Sequence, residues 1–320
     1  MKARELIVSM DCGGTYIKAA LVDCEGNIVC RRKCSTEAER GMRAVVKNLV
    51  STARGFAVEY KIAGVALGMA GAIDFKNGIL LQSPNFAYSE NFPLKAELER
   101  ELALPVFLEN DANAYAMGEK WIGAGRGFSS LLCLTIGTGV GGGIILNNEL
   151  WRGIDGTAGE LGHVTIYPDG LKCKCGNLGC LEAYISAGGI MRMAKKAKHP
   201  STLKQRQNIT PQLVYEAALR GDLAAVEIWQ EVGRILGIGL ATFVNIFNVE
   251  AIIIGGGIAS AYDFFIESAK LEMRKRAFKV PAERIKLLKA ELGDDAGILG
   301  AAYIAWQALK RRAKGKPFLA

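Results

Sequence analysis

The chain has 320 residues, half of them apolar and 22% charged, enough to bury a substantial core and to divide into two domains. Lys and Arg outnumber Asp and Glu by 40 to 32, but five of the cations lie in the last eleven residues, KRRAKGKPFLA, so the excess reads as a solvated basic tail and no nucleic-acid partner is expected. The start, MKARELIVSMDCGG, has no long apolar run behind its basic residues, and no run of 18 or more uninterrupted apolar residues occurs, so neither secretion nor a membrane is expected, and the cytoplasm is the expected compartment.

In chain order, ELIVSM (5–10), YIKAALVD (16–23) and NIVCRRK (27–33) are short β-rich runs separated by CGG and CEGN, which predicts a three-stranded meander. A helical stretch near 37–55 and a strand, IAGVALG (62–68), follow. VFLEN (106–110) reads as another strand, running into the alanine-rich helix ANAYAMGEKW (112–121). LLCLTI (131–136), GGIILN (142–147) and HVTIY (163–167) then give a second set of strands with glycine turns, followed by long helices and the strand AIIIGGG (251–257). Residues 195–211 are polar and read as a surface loop without chemistry. Each half thus opens on a strand that ends in a glycine turn, MDCGGT and TIGTGVGG. This predicts two similar α/β lobes.

The turns carry the first chemical signal. TIGTGVGGG (135–143) can bring several backbone N–H groups close to an anion, with Thr138 and Gly139 at its tip. It satisfies G-x-G-x-x-G through Gly137, Gly139 and Gly142, but a dinucleotide fingerprint has to open a helix, and this one runs into a β-branched stretch with an Asn-Asn turn. No G-x-x-x-x-G-K-[ST] loop occurs, so phosphate would bind on hairpin turns. The first turn, Asp11-Cys12-Gly13-Gly14-Thr15, joins a carboxylate able to orient Mg²⁺ or its water shell to amides that can meet a phosphate; Lys18 lies just beyond. Gly255, Gly256 and Gly257 follow a buried-looking strand and precede a helical pattern from Tyr262, where missing side chains would let a nucleoside approach the backbone.

Five cysteines (Cys12, Cys24, Cys30, Cys34, Cys133) sit singly in or beside strand-like segments, where a reduced thiol behaves as a small hydrophobe. The other three are crowded into CKCGNLGC. With His163 ten residues upstream, Cys173, Cys175 and Cys180 make the one-nitrogen, three-sulfur set of a closed structural Zn²⁺ site. A disulfide is disfavoured by a reducing compartment, and unligated core thiols by the hydrophilic neighbours Lys172, Lys174 and Asn177.

Taken in order, MDCGGTYIKAALVD, ENDANA, TIGTGVGGG, GELGH, CKCGNLGCLEAY and IIIGGG resemble the ROK family of bacterial sugar kinases, regulators and uncharacterised reading frames, from about Leu6 to Tyr303. The resemblance implies an α/β, two-lobed ribonuclease H-like, actin-like ATPase fold with the active site in the interlobe cleft. Residues 1–111, completed by a C-terminal helix at about 297–320, would form the first lobe, and 112–296 the second, which carries the zinc-bound loop. It also implies ATP-dependent phosphorylation of a hexose 6-hydroxyl, glucose first, with N-acetylmannosamine, allose, fructose and N-acetylglucosamine as alternatives, in a homodimer or homotetramer.

By the same resemblance Asp111 is the catalytic base. Asn110, Glu160, His163 and Glu182 contact the sugar, as do Asn85 of SPNF and Gly71 of MAGAID. Asp11, Gly13, Gly14, Thr15, Lys18, Thr138, Gly139, Gly255, Gly256 and Gly257 hold ATP with Mg²⁺. Read from the residues alone, Asp111 before Ala-Asn-Ala is a helix N-cap, Glu160 a solvated carboxylate and Glu182 a helix-start charge. Many family members have Pro-Gly where this chain has Ala70-Gly71, which leaves the shape of that loop and the choice of sugar open. A non-catalytic, DNA-binding ROK regulator is the rival reading; its helix-turn-helix would precede the first strand, and here the first phosphate turn begins by residue 11.

Overall fold

The computed structural model describes residues 5–83, 85–87, 89–197, 199, 201, 203 and 208–314. The chain forms two compact units, Met1–Gly127 with Gly143–Gly159 and Glu291–Ala320, and Phe128–Gly142 with Glu160–Ala290. In order come β1 (Leu6–Cys12), β2 (Tyr16–Val22), β3 (Ile28–Ser35), α1 (Met42–Ala57), β4 (Ile62–Met69), β5 (Ala72–Asp74), β6 (Ile79–Gln82), α2 (Leu94–Leu102), β7 (Val106–Asn110) and α3 (Asp111–Ile122). Then follow β8 (Leu131–Ile136), β9 (Val140–Leu146), β10 (Glu149–Leu150), α4 (Glu182–Ile185), α5 (Ala187–Lys195), α6 (Pro211–Leu219) and α7 (Leu223–Phe247). The chain ends with β11 (Ala251–Gly255), α8 (Tyr262–Arg276), α9 (Lys279–Arg284), β12 (Lys286–Lys289) and α10 (Ala296–Ala313). No described helix is long and apolar enough to cross a membrane.

The first sheet runs β3-β2-β1-β4-β7, a meander of three strands followed by two parallel ones. The second repeats the plan as β10-β9-β8-β11-β12. The period of two in β1 sorts its side chains. Leu6, Val8, Met10 and Cys12 pack with Met42, Val45, Leu49, Ala53 and Phe56, which recur at helical spacing along one face of α1. Ile7 belongs to the core on the opposite face, with Ala114 of α3 and Ile298, Ala302 and Trp306 of α10. Ser9 on that face is fully buried, and its hydroxyl donates to the Ile298 carbonyl at 2.6 Å, offsetting the desolvation of a polar group in an apolar layer. Asp11 continues the same alternation and so meets the start of α10.

Two expectations change. The unit boundary falls at Gly127, not Asp111, because α3 packs on α10: Gly118 and Gly300 let the two backbones approach so closely that a Cβ on either would overlap the other helix's main chain. Residues 143–159 also return to the first unit. HVTIY is not a strand. His163 ends a 3₁₀ turn, Thr165 makes a single bridge to Cys180, and Leu181 N–H donates to the Val164 carbonyl, so this stretch spends its backbone bonds closing the thiol loop. The basic tail begins as the last turn of α10 with Lys310, Arg311 and Arg312; residues 315–320 lie outside the described residues, as does part of the expected loop at 195–211.

Candidate active site

In the first unit the parallel register places Cys12 opposite Met69 and Met69 opposite Asn110, so β1, β4 and β7 end at one sheet edge. Ligand sites of open α/β sheets form at such carboxyl ends. Asp11 sits there, one residue before the tight Gly13–Gly14 turn, in which Gly13 N–H donates to the Tyr16 carbonyl and the Thr36 hydroxyl donates to the Gly13 carbonyl. Thr15 is exposed at the tip. Lys18 lies opposite Asp11 in the β1–β2 ladder, and its Nζ reaches Asp294 Oδ2 at 2.8 Å.

Asp111 opens α3 and is partly buried. It is not the N-cap. Asn110 holds the extended cap conformation, and its Oδ1 accepts from the N–H groups of Ala112 and Asn113 at 2.9 and 3.1 Å, while Asp111 Oδ1 also accepts from Ala112 N–H. Burial raises the Asp111 pKa against the opposing pull of these bonds. Asp11 is lifted further into view: burial, then the negative charge of Asp111, carry it to about 6 despite Lys18. Two carboxyl groups that ionise reluctantly thus meet at one sheet edge.

The other predicted residues of this unit are drawn to the same edge. Asn110 Nδ2 donates to the Gly71 carbonyl at 3.1 Å. Gly71 has φ of 131°, and a Cβ there would overlap the Gln82 carbonyl, so only glycine fits. Ser83 Oγ donates to the Ala70 carbonyl and accepts from Asn85 N–H. Asn85 is exposed, and a Cβ on Gly14 would lie 3.3 Å from its own Cβ.

In the second unit, Gly255 pairs with Thr135 in the parallel β8–β11 ladder, which brings Gly255–Gly257 beside the turn holding Thr138 and Gly139. That turn is held from behind. Ala187 N–H donates to the Gly137 carbonyl, and Val140 N–H donates to Glu182 Oε2, both at 2.8 Å. Glu182, expected at the sugar, also braces the glycine turn, and its Oε1 lies 3.7 Å from Cys173 Sγ. Glu160 Oε2 lies 3.7 Å from His163 Nε2.

The ligand atoms of His163, Cys173, Cys175 and Cys180 all lie within 4.8 Å of one another. The separations of 3.6 Å from His163 Nδ1 to Cys173 Sγ and 3.7 Å from Cys175 Sγ to Cys180 Sγ match tetrahedral edges of about 3.5–3.8 Å for Zn–N near 2.0 Å and Zn–S near 2.3 Å. With Nδ1 turned to the thiols, Nε2 faces Glu160 at 3.7 Å, beyond hydrogen-bond length. Burial pushes the Cys173 thiol up to about 12 and Cys180 upward, while the Asn177 backbone N–H holds Cys175 down, so a cation has to displace protons to enter. The residues fit Zn²⁺.

Two residues behind Asp111 were not singled out from the sequence. Glu109 is buried and forms an ion pair with Arg152 at 2.7 Å. The available signal was a carboxylate in the otherwise apolar strand VFLEN, since such a group is almost never buried without a partner.

The sequence pattern of the ROK family matches residues 7–308. A glucokinase from Thermotoga maritima is 37% identical over 305 residues, 93% of this chain and 96% of its own. Among solved structures, a ROK family glucokinase from Streptomyces griseus in complex with glucose and AMPPNP superposes with a TM-score of 0.82 at 35% identity, covering 94% of this chain and 99% of that one. A ROK family transcriptional regulator superposes with a TM-score of 0.87 at 31% identity, covering 95% of this chain and 78% of that one. With a match over nearly its whole length and the actin-like α/β architecture of these kinases, the chain belongs to the ROK family.

Proposed function

We propose that this chain is an ATP-dependent hexose kinase with D-glucose as its preferred acceptor. The observation that carries the reading is Asp111, partly buried, raised in pKa and freed from capping duty by Asn110. A carboxylate so placed accepts the proton of the sugar 6-hydroxyl as that oxygen attacks the γ-phosphorus of MgATP; the bond to the β-phosphate oxygen breaks and ADP leaves with its electron pair. Asn110, Asn85, Gly71, Glu160, His163 and Glu182 would orient the sugar. Asp11 with Gly13, Gly14, Thr15 and Lys18, together with Thr138, Gly139 and Gly255–Gly257, would hold the Mg²⁺-bound nucleotide. The glucokinase relative and the glucose–AMPPNP complex support the choice of substrates.

His163, Cys173, Cys175 and Cys180 would hold one Zn²⁺, which supplies a structural cross-link and leaves no open position for a catalytic water. The same reading places the protein in the cytoplasm as a homodimer or homotetramer. Similarity to a transcriptional regulator keeps a sugar-sensing role as the second reading. A panel of hexoses assayed with ATP and Mg²⁺ for ADP release tests both: glucose should give the highest kcat/KM. A clear lead for N-acetylmannosamine, allose, fructose or N-acetylglucosamine would overturn the substrate, and sugar binding without turnover would favour the sensor.

A further inference from the structure

Glu109 is the residue immediately before the Asn110–Asp111 junction, and its side chain points into the protein at 3% exposure. An ionised carboxylate there needs compensation on every side. It receives three hydrogen bonds: Oε1 accepts from Asn110 N–H at 3.1 Å and from Asn113 Nδ2 at 3.0 Å, and Oε2 accepts from Arg152 Nε at 2.7 Å, with Arg152 Nη2 at ion-pair distance of the same Oε2, 2.7 Å. The Arg152 guanidinium is itself largely buried and lies over the Phe75 ring at 4.8 Å.

The pair thereby joins three stretches of the first unit. One is the β7–α3 junction that presents Asn110 and Asp111. The second is the Gly71–Phe75 segment containing β5, held at Gly71 by Asn110 Nδ2 and at Phe75 by the stacked guanidinium. The third is the 152–158 stretch, closed on itself by Ala158 N–H donating to the Arg152 carbonyl, with Gly156 packed tightly on the Ile73 carbonyl. Stability alone does not explain the choice of residues, because apolar side chains of similar volume would serve a buried position as well or better. What an ion pair with a charge-assisted hydrogen bond, its second carboxylate oxygen tied to α3, adds is a fixed relative geometry.

We propose that Glu109 and Arg152 are positioning residues for phosphoryl transfer: their ion pair fixes Asp111 and the acceptor-side loop relative to each other, without contact with sugar or nucleotide. The inference rests on the reading of Asp111 as the base. Displacing a reacting group by about 1 Å costs on the order of 10²-fold in rate. The pair should therefore govern kcat and sugar KM and leave nucleotide binding alone.

The test compares Arg152→Lys, Glu109→Gln and the double change Glu109→Gln with Arg152→Met against Asp111→Asn in the full-length protein. The double variant guards against misfolding, since it leaves no buried charge unpaired. Lys keeps the charge but loses the Nε–H bond and the stack on Phe75, so Arg152→Lys should lose about 10- to 100-fold in kcat. Its glucose KM should rise several-fold while ATP KM stays within about twofold and the unfolding midpoint stays close to the parent. The double variant should show the same split. The proposal fails if these variants keep kcat within about twofold while Asp111→Asn is inactive, or if sugar and ATP parameters decline together with the folded fraction. Full turnover by Asp111→Asn would remove the base that the pair is said to position and overturn both readings at once.

Discussion

Asp11 lies under the negative charge of Asp111 at the edge of the first sheet, and burial first, then that charge, raise its carboxyl pKa from the ordinary 3.8 to about 6. The two residues lie one hundred positions apart in sequence and at the carboxyl ends of strands that share β4 as neighbour. Each is placed where its charged form is costly in the unliganded protein. Bringing a cation or a proton to that edge relieves the cost, which is the electrostatic situation a Mg²⁺-dependent proton transfer requires.

Asp11→Asn should stabilise the nucleotide-free protein at neutral pH while abolishing turnover. A raised folded-state pKa means that the folded protein keeps its proton where the unfolded chain has lost it, so the stability from this group is fully present below about pH 4 and is lost as pH rises through about 6. Two units correspond to roughly 2–3 kcal/mol as an upper bound. The midpoint of Asp11→Asn should accordingly lie several degrees above the parent at pH 7.5, and the difference should close near pH 4. An equal or lower midpoint at pH 7.5 would show that the ionised carboxylate is not strained.

Asp111→Asn should lower kcat by roughly 10²–10⁴-fold, the usual worth of a general base. Because Asn110 caps α3, the exchange leaves the helix start intact, and thermal stability should stay level or rise. In the parent enzyme the acid limb of the kcat profile should fall at a pH above the ordinary Asp value, in keeping with burial of Asp111. Unchanged turnover in the variant would remove Asp111 from the chemistry.

Asn110 performs two tasks that separate by substitution. Asn110→Ala loses the cap and the bond to the Gly71 carbonyl, and should cost about 0.5–2 kcal/mol of stability as well as sugar affinity. Asn110→Ser restores a capping hydroxyl too short to reach Gly71, so stability should recover while glucose KM stays high. Recovery of both in the Ser variant would mean that the loop does not depend on this bond.

Purified protein should contain about one zinc per chain, and Cys175→Ser should lose it. Glu182 lies between Cys173 and Val140 N–H, so metal loss should weaken nucleotide binding along with sugar binding. Elemental analysis paired with calorimetric titration of a non-hydrolysable ATP analogue checks this. Active protein free of zinc would sink the metal site, and unaltered analogue affinity in the zinc-free variant would sever Glu182 from the metal loop.

By itself the sequence determined what short-range rules govern. Alternation at residues 6–12 made a two-faced strand, glycines after Asp11 and Ile136 made hairpin turns, and three thiols within eight positions with His163 nearby made a ligand set. It fell short wherever a residue's partner is far along the chain. Asp111 and Asn110 are both good caps, and only the path of β7 into α3 decided that Asn110 takes that place. Lys18 finds Asp294 276 positions later, and Glu109 finds Arg152 43 positions later. HVTIY has the composition of a strand, yet its neighbours are the thiol loop, so its hydrogen bonds go there. Local propensity is a property of a few consecutive residues, whereas a buried charge, a close helix crossing or a braced turn is satisfied only by whatever the folded chain brings beside it, and that was settled by the tertiary structure.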